Sequence, residues 1–168
     1  MSKPVGFDQK LQLNHLDFTA NELRCTERKA MYIKLNEYLD DEIRGLKSRK
    51  NAITMLMKIW CLVDSDHQEL QKTALSLFLQ ATQEEKLLLH WGMILLAYPF
   101  FKAVSEEMGN FLKLQSEVPS QQLGRQIKLL YGDRRRVEVA LGAVLGSIYA
   151  WEVVQRGKGN IYIHFREE

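Results

Sequence analysis

Residues 133–165 read DRRRVEVALGAVLGSIYAWEVVQRGKGNIYIHF, and the fold turns on how this stretch changes its period. Over its first half Val137, Ala140, Leu141, Val144 and Ile148 recur at three- and four-residue steps, the spacing of one apolar helix face. Asp133 stands where an N-cap belongs. Past Trp151 the period falls to two. The runs EVVQR (152–156) and NIYIHF (160–165) flank Gly157-Lys158-Gly159, a hairpin signal. Working upstream, SQQLGRQIKLLYG (120–132) predicts a helix capped by Ser120 and stopped by Gly132. SEVPS (116–120) suits a brief extended segment, and FFKAVSEEMGNFLKLQ (100–115) predicts another helix. The expected order is helix, short strand, helix, turn, helix, hairpin.

The first two thirds of the chain read as helices joined by short turns. FDQKLQL (7–13) alternates weakly, as a short extended arm would. In TERKAMYIKLNEYLDDEIRGL (26–46) the apolar stripe is Ala30, Ile33, Leu35, Tyr38, Leu39 and Ile43, with Thr26 as cap and Gly45 as terminus. The next helix is capped by Ser48 and carries Ile53, Leu56, Met57, Trp60 and Cys61 inward. Asp66 opens a third, with Leu70, Ala74, Leu77, Phe78 and Ala81 as its stripe. Thr82 followed by Glu85 forms a capping box, and Pro99 ends that helix or starts the next. The expected fold is therefore mostly α. A helical N-terminal region (1–99) would form one continuous compact unit with residues 100–168.

Bulk properties narrow the function. The chain has 168 residues and a formal net charge of +2, too little to announce a polyanion ligand. The distribution says more: residues 67–120 carry −2 and residues 121–168 carry +3, so the basic end is the part that attracts phosphates. Cys25 and Cys61 are far apart in apolar helical settings and read as reduced core thiols. The N-terminus lacks a hydrophobic signal core. The most apolar run, Leu87–Phe101, has 15 residues and contains a His and a Pro, short of the roughly 20 needed to span a bilayer. A cytoplasmic, soluble protein without membrane contact is expected.

The order of elements over residues 100–165 resembles the winged helix-turn-helix superfamily. Phe100–Gln115 would be its first helix, Ser120–Tyr131 its second, the helix from Asp133 its recognition helix, and Val153–Phe165 its wing. The YPFF run (98–101) is similar to one in small accessory proteins of bacterial phage-defence islands. The winged-helix resemblance implies double-stranded DNA as ligand, with the recognition helix in the major groove. Arg134, Arg135 and Arg136 would then meet phosphates at a helix end that already favours anions. Arg125 and Lys128 would clamp the backbone, and Arg156 and Lys158 would act from the wing. Two departures stand out. Glu152 replaces the glycine that often precedes the wing. The outward helix face, Val139, Gly142, Ala143 and Gly146, lacks base-reading side chains and makes a smooth strip for a sugar-phosphate ridge or a partner helix.

Catalytic patterns are missing. His15, His67, His90 and His164 have no metal-ligand spacing among themselves or with the cysteines. His90, beside Trp91 on an apolar helix, reads as a hydrogen-bonded core residue, and His164 as strand surface. Asp64, Asp66, Glu69 and Lys72 read as a solvated helix start rather than a nuclease cluster. No cofactor or metal is expected. The leading expectation is a non-enzymatic duplex-DNA-binding protein with a role in regulating transcription, working through phosphate and shape contacts. A homodimer is compatible with it, with Met55, Met57 and Trp60 as one candidate face. The rival expectation is an assembly or adaptor subunit of a larger, phage-defence-type complex, docking through the Gly142/Gly146 face.

Overall fold

A computed structural model describes residues 2–164. These are mostly helical, with one small three-stranded antiparallel sheet. Phe165, the expected last residue of the wing, lies outside the described residues, as does the side chain of His164. The chain divides into two compact units: residues 11–97, and residues 98–164 together with the N-terminal residues 2–10.

The first unit contains α1 (Leu13–Leu23), α2 (Arg28–Asp40), α3 (Leu46–Trp60), a 3-10 turn (Ser65–His67), α4 (Gln68–Phe78) and α5 (Gln83–Ala97). Helix α3 packs on α1, α2 and α5, which is why Ile53, Met55, Leu56, Met57, Ile59 and Trp60 are all buried. Met55, Met57 and Trp60 are thereby core residues of this unit, and the dimer face expected of them is withdrawn. The capping box is present: Thr82 N donates to Glu85 Oε2 at 2.8 Å, and Glu85 N donates to Thr82 Oγ1 at 3.3 Å.

Three sequence expectations for this unit are corrected. Helix α2 stops at Asp40 instead of reaching Gly45, which is the N-cap of α3. Arg49 holds the break, donating to Ile43 O at 3.0 Å and pairing with Asp40 at 2.5 Å. Thr26, Ser48 and Asp66 do not act as caps: the N-cap positions are Glu27, Gly45 and His67. Ile33, Leu70 and Leu77 are more than half exposed, because the apolar stripes of α2 and α4 are wider than the surfaces that cover them.

Polar groups inside this unit are paired, as burial requires. Trp60 Nε1 donates to His90 Nδ1 at 3.1 Å, and His90 Nε2 lies 2.7 Å from Asp17 Oδ1. Nδ1 accepts, so the imidazole proton sits on Nε2 and points at the carboxylate. Burial pushes the His90 pKa below its ordinary value, more than Asp17 raises it. His15, also buried, meets Glu42, and that hydrogen bond draws the Glu42 pKa down.

The second unit contains α6 (Pro99–Leu114), β1 (Glu117–Pro119), α7 (Ser120–Tyr131), α8 (Arg135–Ala150), β2 (Val154–Arg156) and β3 (Ile161–His164). Pro99 occupies the first turn of α6, where its missing N–H costs nothing. Gly132 (φ 88°) terminates α7. The strand order is β1-β3-β2, with Val118 opposite Tyr162 and Arg156 also opposite Tyr162. The hairpin turns through Gly159 (φ 63°) and Asn160 (φ 49°), consecutive positive values of the kind a tight hairpin turn needs. Ser120 N donates to Asn160 O at 2.9 Å, tying the start of α7 to that turn. Phe100, Phe101, Val118, Leu123, Ile127, Val144 and Trp151 are among the residues that fill the core.

The helix-to-hairpin joint explains Glu152. Glu152 N donates to Tyr149 O and Val153 N to Ile148 O, both at 3.0 Å, the paired bonds of a Schellman end. Such an end needs a left-handed residue at its centre, and Glu152 adopts φ 59° there. The conformation that glycine would take at no steric cost is present without the glycine.

The N-terminal segment forms no strand, yet it is anchored. Val5 and Phe7 are buried, with the Phe7 ring 5.4 Å from Tyr98, edge-on, and 5.5 Å from Phe101. Gly6 has φ 71°, and a Cβ there would come within 3.2 Å of the Tyr98 ring, so glycine is required where the chain bends over that ring.

Candidate functional site

Helices α7 and α8 and the β2–β3 hairpin enclose an open groove of about 620 Å³. One wall is the outer face of α7: Ser120, Gln121, Gly124, Arg125 and Lys128. The facing wall is α8, with Glu138, Leu141, Gly142, Leu145 and Gly146. The hairpin contributes Arg156, Asn160 and Tyr162. Residues 121, 124, 125 and 128 recur at the spacing of one helix face, as do 138, 141, 142, 145 and 146. Three cations and one carboxylate line this space, so its charge is positive.

The seven cations singled out from the sequence do not share one surface. Arg125, Lys128 and Arg156 line the groove. Arg125 is exposed and has no ion pair among the described residues, whereas Arg156 donates to Asn160 Oδ1 across the turn. Lys128 is held between two carboxylates, 2.7 Å from Glu138 and 3.0 Å from Asp133. Those bonds, Glu138 first, raise its pKa above the ordinary lysine value. Asp133 is thus an ion-pair partner and not the cap of α8; the N-cap residue is Arg134.

The arginine triplet is divided. Arg134 turns back onto the end of α7, donating from Nε and Nη2 to Tyr131 O (3.3 and 3.0 Å), and from Nη2 to Lys3 O (3.1 Å). Its guanidinium satisfies the Tyr131 carbonyl that the helix end leaves without a partner. Arg136 lies 3.8 Å from Asp8. Arg135 is exposed and, among the described residues, has no ion pair. Lys158, at the hairpin tip, is likewise exposed and without an ion pair among them. None of these four lines the groove.

The small-residue face of α8 is also only partly open. A Cβ at Gly142 would meet nothing within 4 Å, and Val139 is half exposed. Ala143 is buried, contrary to its expected outward position. At Gly146 the nearest atoms are Lys10 Cδ and Cγ, 3.6 and 4.0 Å from where a Cβ would stand. The surface expected to receive another molecule's backbone therefore already carries part of the N-terminal segment. Lys10 went unnoticed in the sequence: it is a lone lysine in a polar segment more than 130 residues from Gly146, and no local pattern connects them.

Among the described residues no cluster of three His, Cys, Asp or Glu side chains is placed to hold a metal ion. Cys25 is exposed, contrary to the core position expected of it, whereas Cys61 is buried and burial pushes its thiol up to about 12, which keeps it protonated and unreactive. No single helix among them is long and apolar enough to cross a membrane. Compared with known proteins, the chain matches no family model, no curated protein and no solved structure.

Proposed function

We propose that the unit of residues 98–164, with its N-terminal segment, is a winged helix-turn-helix that binds double-stranded DNA without catalysing a reaction. Two aspects of topology support this reading. The elements run helix, strand, helix, helix, hairpin, and β1 pairs with the last strand to give the order β1-β3-β2. The observation that carries the functional half is the groove itself: Arg125 and Lys128 on α7 and Arg156 on the hairpin stand around the bare Gly142 flank of α8.

Guanidinium groups donate paired N–H bonds to phosphate oxygens, and a glycine flank leaves room for a sugar-phosphate ridge. The α8 side of the groove offers Glu138, Leu141, Gly142, Leu145 and Gly146, none of which donates a side-chain hydrogen bond to a base edge. Recognition is therefore by charge and shape, with Arg135 and Lys158 as outlying contacts. A homodimer on a two-fold site, a cytoplasmic location and a regulatory role in transcription accompany this reading. The test is the salt dependence of binding to a short fluorescent duplex. Replacing Arg125 and Arg156 together by Ala reduces the slope of log K against log salt by about 1.8, at about 0.9 per phosphate contact. Failure of the wild-type protein to retain duplex at the lowest salt sinks the reading.

A specific observation favours a second reading, that of an adaptor subunit in a larger assembly of the phage-defence type. Leu141 and Leu145 line the same groove, and Lys128 is already neutralised by Asp133 and Glu138, as suits a partner helix laid against Gly142. In that case Gly142→Leu removes a co-purifying polypeptide while the protein still folds. An unchanged set of co-purifying proteins counts against it.

A further inference from the structure

We infer that the N-terminal segment is a built-in part of the DNA-binding surface: Asp8 offsets Arg136 at one end of α8, and Lys10 adds a cation beside the groove residue Gly146 at the other. This rests on the duplex-binding reading and extends it to residues the winged-helix pattern does not include. The segment is fixed rather than loose, because Val5 and Phe7 are buried and Gly6 bends closely over the Tyr98 ring. From that anchor its polar members reach two points of α8 ten residues apart, about 15 Å along the helix. Asp8 lies 3.8 Å from Arg136 Nε, an exposed ion pair that offsets part of the charge near the helix start. The apolar stem of Lys10 rests on Gly146, a groove residue, at ordinary contact distance. Lys10 is exposed, so its stem is held beside a groove residue while its ammonium stays in water, free to meet a phosphate.

The two charges act in opposite senses, and that separates this role from simple packing. Duplex binding is titrated by fluorescence anisotropy over a range of KCl with the full chain, Lys10→Met, Lys10→Arg and Asp8→Asn. Methionine keeps an apolar stem over Gly146 and removes the charge. The salt slope becomes shallower by about 0.9 in Lys10→Met, stays at the wild-type value in Lys10→Arg, and steepens by up to about 0.9 in Asp8→Asn. If the wild type binds duplex but Lys10→Met and Asp8→Asn leave the slope unchanged, or shift it in the same direction, the segment is structural only and the inference is overturned. If the wild type binds no duplex at the lowest salt, the duplex-binding reading falls and takes this inference with it.

Discussion

In residues 11–97 the two buried histidines are each tied to a carboxylate: His90 stands between Trp60 and Asp17, and His15 meets Glu42. In residues 98–164 the charged groups stay at the surface, and several border an open groove. The difference is one of purpose. A hydrogen bond closed inside a helical core is strongly felt when a partner is removed, because the survivor is left dry and unpaired. A guanidinium in water contributes little to stability and remains available to a ligand. Substitutions in the first unit should therefore change stability, and those around the groove should change binding.

The strongest test is Trp60→Ala, which removes a fully buried ring and the donor to His90. It is expected to cost about 3–5 kcal/mol, read from the denaturant midpoint, with duplex binding kept under conditions where the protein remains folded. Asp17→Ala leaves the His90 Nε2 proton without its acceptor and is expected to cost about 1–3 kcal/mol. The same site gives a pH dependence. Burial holds folded-state His90 below its ordinary 6.5, so as pH falls through that value the unfolded chain takes up a proton that the folded chain refuses. Stability contributed by neutral His90 is present above 6.5 and is lost progressively toward the lower folded value. Denaturation between pH 5 and 8 checks this, and a His90→Gln variant should lose the slope.

Smaller effects sharpen the other side of the contrast. Glu152→Gly relieves a left-handed side chain at the end of α8 and is expected to stabilise by about 1–2 kcal/mol; a loss in thermal midpoint contradicts the Schellman account. Gly142→Ala adds a methyl group where nothing lies within 4 Å, so it should stabilise α8 by about 1 kcal/mol, while duplex binding weakens because the bare flank of the groove is narrowed. A destabilised Gly142→Ala would mean that the flank is packed and not open.

What was legible in the sequence was local. The Thr82–Glu85 box, Pro99 at the start of α6, Gly132 after α7 and the glycine-rich hairpin each act within a few residues, so their order in the chain suffices to read them. The apolar stripes of α2 and α4 were legible as helix faces, but how much of each face is covered was not, since that depends on which neighbours pack there. The candidate site was legible in part. Arg125, Lys128, Arg156 and Gly142 come together because α7, α8 and the hairpin are contiguous in the chain. The turning of Arg134 toward Lys3, 131 positions away, and the approach of Lys10 to Gly146 have no local signature, and a run of three arginines looks the same whether its members are bound or free.

The burial of Phe7 among rings that begin at Tyr98 has a consequence for biosynthesis. A ribosome adds roughly 5–20 residues per second, so Val5 and Phe7 emerge about 5–20 s before the aromatic residues that will shelter them. During that interval the nascent chain presents Val5 and Phe7 without the rings that will cover them, while the compact unit of residues 11–97 is completed. A chaperone that grips such an apolar segment would be most useful in those seconds, and translational pausing between residues 10 and 98 would prolong the exposure.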